Sequence, residues 1–125
     1  MKVVGIIAEY NPFHNGHMYQ INYAKNTLQA DAVIVVMSGN FVQRGEPAIL
    51  DKYARADMAL RCGADMVIEL PVIAATSSAE IFARGGMGLL IHSGVVTDII
   101  FGCEDERPDL FLKVAATLLK ESDAF

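Results

Sequence analysis

The chain has 125 residues, of which 53% are hydrophobic and 20% are charged, and its formal net charge is −5. This length suits one domain with a buried core, and the hydrophobic content excludes a disordered chain. The acidic balance indicates no basic face, so the domain itself should bind nucleic-acid phosphates weakly. The two cysteines, Cys62 and Cys103, lie far apart in the sequence, a pattern typical of reduced thiols in a cytoplasmic protein.

The first half of the chain alternates strand and helix patterns. Residues 2–10, "KVVGIIAEY", form an apolar run without alternation, which is typical of a strand covered on both faces. The run is too short for a signal peptide or a membrane span, so no membrane association is expected. Residues 17–30 have helical spacing, residues 31–39 predict a second buried strand, and residues 39–49 predict a loop punctuated by Gly and Pro.

The second half continues the same alternation. Asp51 is well placed as the N-cap of a helix that ends at Gly63, and Pro71 ends the strand pattern of residues 64–71. The remaining predicted elements are a helix over residues 77–94, a strand over residues 96–104 and a helix over residues 107–122.

This alternation predicts a single α/β domain over residues 1–125. Right-handed crossovers between successive strands give a Rossmann-like, doubly wound parallel sheet of about four strands with helices on both faces. In such sheets ligands bind beyond the carboxyl ends of the strands, at the point where the strand order reverses. The loop that follows the first strand lies there.

That loop carries the stretch "EYNPFHNGH", residues 9–17. A loop that enters a helix presents unpaired N–H groups at the positive end of the helix dipole, which is a natural anion site. Gly16 would let the backbone approach a phosphate closely. His14 and His17 could donate hydrogen bonds to phosphate oxygens and stabilise the charge on a leaving pyrophosphate. The loop therefore favours phosphoryl or nucleotidyl transfer.

Two other interpretations of the loop stay open on the residues alone. The histidine spacing is compatible with a metal, but no third or fourth ligand stands nearby with a recognisable spacing, so no metal site is predicted. In the second alternative the loop is merely polar, with His14 capping the helix and His17 packed on the first turn.

Longer motifs add a family resemblance. "HNGH" at residues 14–17 matches the HxGH signature of the HIGH-type nucleotidyltransferases. "EYNPFHNGH", "SGNFVQRGEP", "GADMVIELP" and "IIFGCE" together resemble the amino-terminal domain of the tRNA(Met) cytidine acetate ligase family. That family is understood to form acetyl-adenylate from ATP and acetate, and then to acetylate N4 of the wobble cytidine of elongator tRNA(Met).

The resemblance implies an ATP site, with Mg²⁺ carried by the nucleotide and with His14 and His17 as catalytic residues on the phosphates. The implied ATP-binding residues are Ile7, Ala8, Glu9, Tyr10, Asn11, Pro12, Phe13, His14, Asn15, Gly16, His17, Met18, Tyr19, Gln20 and Gly102.

The same resemblance implies that the 125 residues are incomplete relative to the family. The second nucleotide-binding signature of the family and its basic tRNA-binding region lie beyond the matched part. Two alternatives to an acetate ligase are a nucleotidyltransferase for another small acid or phosphate, and a nucleotide-binding module without complete catalysis.

The loop after the second strand offers candidates for the second substrate. Ser38, Gln43 and Arg44 lie there, and the guanidinium of Arg44 could pair with acetate or a phosphate. An equally weighted alternative is a solvated Arg44 paired with Glu46. Glu9 is interpreted as a structural hydrogen-bond acceptor, because acetate is already a carboxylate near neutral pH and needs no general base.

The remaining expectations concern the helices and the surface. Lys52, Arg55 and Arg61 are predicted to form the solvated face of one helix. For Arg55 the resemblance implies an alternative, because the nucleotidyltransferase superfamily often has an arginine on this helix near the active site. Both cysteines are interpreted as small buried residues, with Cys103 expected close to the nucleotide. The glycine-rich "RGGMG" at residues 84–88, with an incomplete sheet, suggests an exposed edge and a possible homo-oligomer.

Overall fold

A computed structural model describes residues 1–103 and 107–120. Four parallel strands form one sheet with the order β3-β2-β1-β4. The strands are β1 (Val3–Ala8), β2 (Ala32–Ser38), β3 (Met66–Leu70) and β4 (Asp98–Ile99). The helices are α1 (Asn15–Asn22), α2 (Lys52–Arg61), α3 (Val72–Ala75), α4 (Ala79–His92) and α5 (Pro108–Leu118). The Rossmann-like α/β prediction is confirmed.

Two apolar layers show why β1 and β2 lack alternation. Val4, Ile6 and Val35 pack on one face of the sheet, together with residues of α1 and α2. Val3 and Val36 pack on the other face, together with residues of α3 and α4. Because the central strands bury both faces, their sequences are continuously apolar.

The glycines of α4 bring that helix close to the sheet. An added Cβ at Gly86 would lie 2.7 Å from Ile7 Cγ2, and one at Gly85 would lie 2.7 Å from Ala74 Cβ. Interpreting the glycine-rich segment as a sign of an exposed edge was therefore wrong for these two positions, because they serve close packing instead. The homo-oligomer stays a prediction.

Element boundaries differ from the sequence-based ones in three places. Helix α1 begins at Asn15 and continues beyond Asn22 as a π-helical segment, Tyr23–Thr27. A single helical turn, α3, precedes α4, whose N-cap Ser78 accepts a hydrogen bond from the backbone of Ile81. Strand β4 has two residues. The predicted residue 104 of that strand, and residues 121 and 122 of the last predicted helix, lie outside the described residues.

Two further observations concern the chain as a whole. Over residues 1–103 and 107–120, no helix has the length and apolar character needed to cross a bilayer. Cys62 is half-buried, whereas Cys103 is exposed, so the prediction of a buried Cys103 was wrong.

Candidate functional site

A cleft of about 880 Å³ opens where β1 and β4 end, beside the first turns of α1. Predicted ATP-binding residues that line it are Ile7, Ala8, Glu9, Tyr10, Asn11, Gly16, His17, Tyr19, Gln20 and Gly102. Cys103, which is expected from the sequence to lie close to the nucleotide, also lines it. Lining residues that the sequence did not single out are Tyr23, Ile99, Ile100 and Phe101. Predicted residues outside the lining are Pro12, Phe13, His14, Asn15 and Met18.

His14 and His17 form a reciprocal capping box at the start of α1. The Nδ1 atom of His14 accepts a hydrogen bond from the backbone N–H of Gly16 at 3.1 Å. The Nδ1 atom of His17 accepts one from the backbone N–H of His14 at 3.2 Å. Because a neutral imidazole has one N–H, both rings must carry their proton on Nε2. The cap therefore gives each ring an Nε2–H donor.

The ring of His14 also influences the charge of the His17 ring. Their centroids lie 3.7 Å apart and their planes are inclined by 23°. Burial, followed by the proximity of His14, lowers the pKa of His17 below its ordinary value of 6.5. His17 is consequently a neutral donor near pH 7.

Gly16 has a local reason to be glycine. An added Cβ would lie 3.0 Å from Cε1 and 3.1 Å from Nδ1 of the His14 ring. A side chain at this position would displace the ring that caps the helix. The glycine therefore fits the capping geometry, in addition to the close backbone approach that the sequence predicts.

Tyr10 supports the histidines from inside the fold. It is 1% exposed, has a φ of 50°, and packs its ring 4.7 Å from the ring of His17 and 4.8 Å from that of Phe13. Its hydroxyl has no hydrogen-bond partner among the described residues. Burial, reinforced by the nearby Cys62, raises the pKa of this phenol. The side chain of Tyr10 is thus a support for the loop.

Glu9 and Asn11 tie the histidine loop to the loop between β2 and α2. The Oε1 atom of Glu9 accepts a hydrogen bond from the backbone N–H of Gln43 at 2.9 Å. The Oδ1 atom of Asn11 accepts one from the backbone N–H of Ile49 at 2.7 Å. The interpretation of Glu9 as a structural acceptor is confirmed.

The second-substrate candidates do not line the cleft. Ser38 is fully buried, and its Oγ has no hydrogen-bond partner within the described part of the chain. Gln43 contributes its backbone N–H to the Glu9 contact. Arg44 is exposed, has a φ of 65°, and forms no ion pair with Glu46, both residues being described. Their binding role stays a prediction.

Arg55 does not belong to a solvated helix face, so that prediction was wrong. It is fully buried, whereas Lys52 and Arg61 form partly exposed ion pairs with Glu69 and Asp57. Its position four residues before the buried Ala59 puts both on the core face of α2. That spacing is the sequence signal that could have identified it.

Ligands for a metal do not cluster in the described part of the chain. Residues 1–103 and 107–120 contain no group of three or more His, Cys, Asp or Glu side chains that could hold an ion.

Comparison with known proteins agrees with the fold. The model of the family described as HIGH Nucleotidyl Transferase matches residues 1–125, and the chain belongs to that family. A tRNA(Met) cytidine acetate ligase of Thermosipho melanesiensis is 52% identical over 100% of this chain and 29% of its own length. One from Halothermothrix orenii is 53% identical over 97% of this chain and 28% of its own length.

A solved structure shows that the similarity extends to the fold. Thermotoga maritima TmcAL bound with alpha-thio ATP superposes with a TM-score of 0.90 and 51% identity, covering 98% of this chain and 30% of that one. The resemblance to the ligase family is therefore confirmed, and the chain spans about 30% of the length of that relative.

Proposed function

We propose that this chain forms the ATP site of an adenylate-forming ligase that activates acetate for N4-acetylation of the wobble cytidine of elongator tRNA(Met). The observation that carries the proposal is the capping box, because it uses the Nδ1 atoms of both rings as acceptors and leaves their Nε2–H groups as donors, and the ring of His17 lines the cleft. The relative solved with alpha-thio ATP supports the choice of nucleotide. The cleft volume of about 880 Å³ is also suited to a ligand of nucleotide size.

The histidines and the start of α1 both stabilise the negative charge that develops on the leaving pyrophosphate. An oxygen of acetate attacks the α-phosphorus of ATP, the new O–P bond forms, and the bond from that phosphorus to the bridging oxygen of pyrophosphate breaks. Negative charge accumulates on the pyrophosphate as it leaves. The Nε2–H donors and the positive end of the helix dipole stabilise this charge without a proton transfer.

No side chain is required to activate the nucleophile. Acetate is a carboxylate near neutral pH, so the attacking oxygen needs no base. Glu9, whose Oε1 is already held by the backbone N–H of Gln43, acts as a structural acceptor in this scheme. In the following transfer, the cytidine N4 amine attacks the acetyl carbonyl and AMP leaves.

A magnesium ion is part of the proposal as a companion of the nucleotide. Glu9 is the carboxylate that the described cleft lining offers, so phosphate oxygens and water would supply most of the ligands, as is common for Mg²⁺. When bound, the ion would neutralise charge on the phosphates.

Trapping with hydroxylamine tests the acid substrate. Acetyl-adenylate reacts with hydroxylamine to give acetyl hydroxamate, so the chain incubated with ATP, Mg²⁺ and hydroxylamine should form hydroxamate with acetate and much less with bulkier carboxylic acids. If another acid gave more hydroxamate than acetate does, that acid and not acetate would be the substrate. Saturable ATP binding without any hydroxamate would identify a nucleotide-binding module instead.

A further inference from the structure

The guanidinium of Arg55 joins three separate backbone segments. Its Nη1 donates to the carbonyl oxygens of Glu9 at 2.6 Å and of Ser38 at 3.1 Å. Its Nε donates to the carbonyl of Leu50 at 3.0 Å, and its Nη2 donates to that of Gly39. These carbonyls belong to the end of β1, the end of β2 and the residues that lead into α2.

This environment is unusual for a charged side chain. Arg55 has 0% relative exposure, and fully buried arginines are rare unless they are paired. Within the described residues its guanidinium forms no ion pair with a carboxylate. Its hydrogen bonds go instead to main-chain carbonyls, which only a planar group with several donors can satisfy together. The carboxylates of Asp51, Glu9 and Glu69 favour the charge without pairing with it, and the carbonyls fix the orientation of the guanidinium.

The joined segments are the two loops on which the proposed reaction depends. Glu9 begins the histidine loop, whereas Ser38 and Gly39 begin the loop that leads to α2. Two further hydrogen bonds connect the same loops, from Gln43 N–H to Glu9 Oε1 and from Ile49 N–H to Asn11 Oδ1. Arg55 is thus a third connection between the two loops, and it is the buried one. We refer to it as the buried anchor.

We propose that Arg55 is a positioning residue that holds the loop between β2 and α2 against the histidine loop, so that the acid aligns with the α-phosphate of ATP. This inference rests on the proposed function. Misplacement of a reactant by about 1 Å costs on the order of 100-fold in rate. The anchor therefore acts on the chemical step, and ATP binding by the histidines is largely independent of it.

The test compares charge-conserving substitutions at two arginines of α2. Arg55→Lys keeps the charge, but one ammonium cannot replace donors on three different nitrogen atoms. We expect the kcat of acetate-dependent pyrophosphate exchange to fall on the order of 100-fold, with the Kd for ATP unchanged within about threefold. Arg61→Lys, at the exposed partner of Asp57, is the matched control and should retain the wild-type rate. A wild-type kcat in Arg55→Lys overturns the proposal.

If Arg55→Lys does not fold, a second pair of variants tests the connection between the two loops at Gln43. Gln43→Pro removes the N–H that Glu9 accepts, at the first residue of a short helical turn where proline is tolerated. Val42 before it has φ −105° and ψ −175°, which a following proline permits. Gln43→Ala keeps the N–H.

We expect kcat to fall further in Gln43→Pro than in Gln43→Ala, with the ATP Kd unchanged between them, and equal rates overturn the proposal. An inactive wild-type chain contradicts the proposed function itself, whereas an active wild type with unaffected Arg55 and Gln43 variants contradicts only this inference.

Discussion

The imidazole rings of His14 and His17 stack with centroids 3.7 Å apart, and each uses its Nδ1 atom to accept a backbone N–H. Protonation of His17 would put a proton on the Nδ1 atom that accepts the backbone N–H of His14, and so would break that hydrogen bond of the capping box. The capping box and the lowered pKa of His17 therefore both favour the neutral ring, with its N–H on Nε2.

Stability should fall as His17 becomes protonated. The pKa of His17 is lowered in the folded chain relative to its ordinary value of 6.5, so below that value the unfolded chain binds more protons. The contribution is complete above pH 6.5 and is lost as the pH falls through the folded pKa of His17. Urea unfolding between pH 5 and 8 should show this loss in the wild type, and a His17→Asn variant should show less of it. An equal pH dependence in both would contradict the assignment.

ATP affinity should depend on the Nε2–H of His17. In His17→Asn the amide oxygen can still accept the His14 N–H, but the distal donor is absent. Loss of one hydrogen bond to a charged group costs about 1.5–3 kcal/mol, or roughly 10- to 150-fold in Kd. Titration calorimetry with ATP measures it. His92→Asn is the control, because His92 lies in the last turn of α4 and contacts Gly88; an equal loss in both variants would exclude the proposed role.

The Tyr10 hydroxyl should be dispensable, whereas its ring should not. Tyr10→Phe removes a buried hydroxyl without a partner in the described residues, so the free energy of unfolding should stay the same or rise by about 1 kcal/mol. Tyr10→Leu removes the ring that packs on His17 and should raise the pKa of His17 towards 6.5. Chemical denaturation and NMR titration of the histidine ring measure these effects. A large loss of stability in Tyr10→Phe would show that the hydroxyl is needed.

Two glycines of α4 should respond to alanine in opposite directions. At Gly86 the new methyl group would lie 2.7 Å from Ile7, so Gly86→Ala should destabilise the chain by about 1–3 kcal/mol. At Gly88 nothing lies within 4 Å, so Gly88→Ala should stabilise it by about 0.5–1 kcal/mol through helix propensity. Thermal unfolding of the two variants compares them directly, and a shift of the same sign in both would contradict the described packing of α4 on β1.

The features that could be predicted depend on residues that lie close together in the sequence. Strands β1 and β2 were identifiable because burial on both faces makes their sequences continuously apolar. The histidine loop was identifiable because His14, Gly16 and His17 lie within one turn. The helical spacing placed the start of α1 two residues late, whereas the alternative in which His14 caps the helix gave the correct N-cap, a role more often filled by Ser, Thr, Asp or Asn.

The features that could not be predicted depend on distant parts of the chain. Arg55 donates to the carbonyl of Glu9, 46 residues away. The spacing to Ala59 could have indicated that Arg55 is buried, but no local sequence pattern identifies its carbonyl partners. The close packing of Gly86 on Ile7 likewise depends on the sheet being assembled first. Phe101 lines the cleft because β4 is the neighbour of β1, which the strand order decides.

Exchange of labelled pyrophosphate into ATP is the most direct test of the central claim, that the cleft beside His14 and His17 activates acetate with ATP. The wild-type chain with Mg²⁺ should exchange label at a rate that rises and saturates with acetate, and His17→Asn should reduce that rate strongly. Exchange that is independent of acetate, or no exchange at saturating ATP and acetate, would contradict the claim.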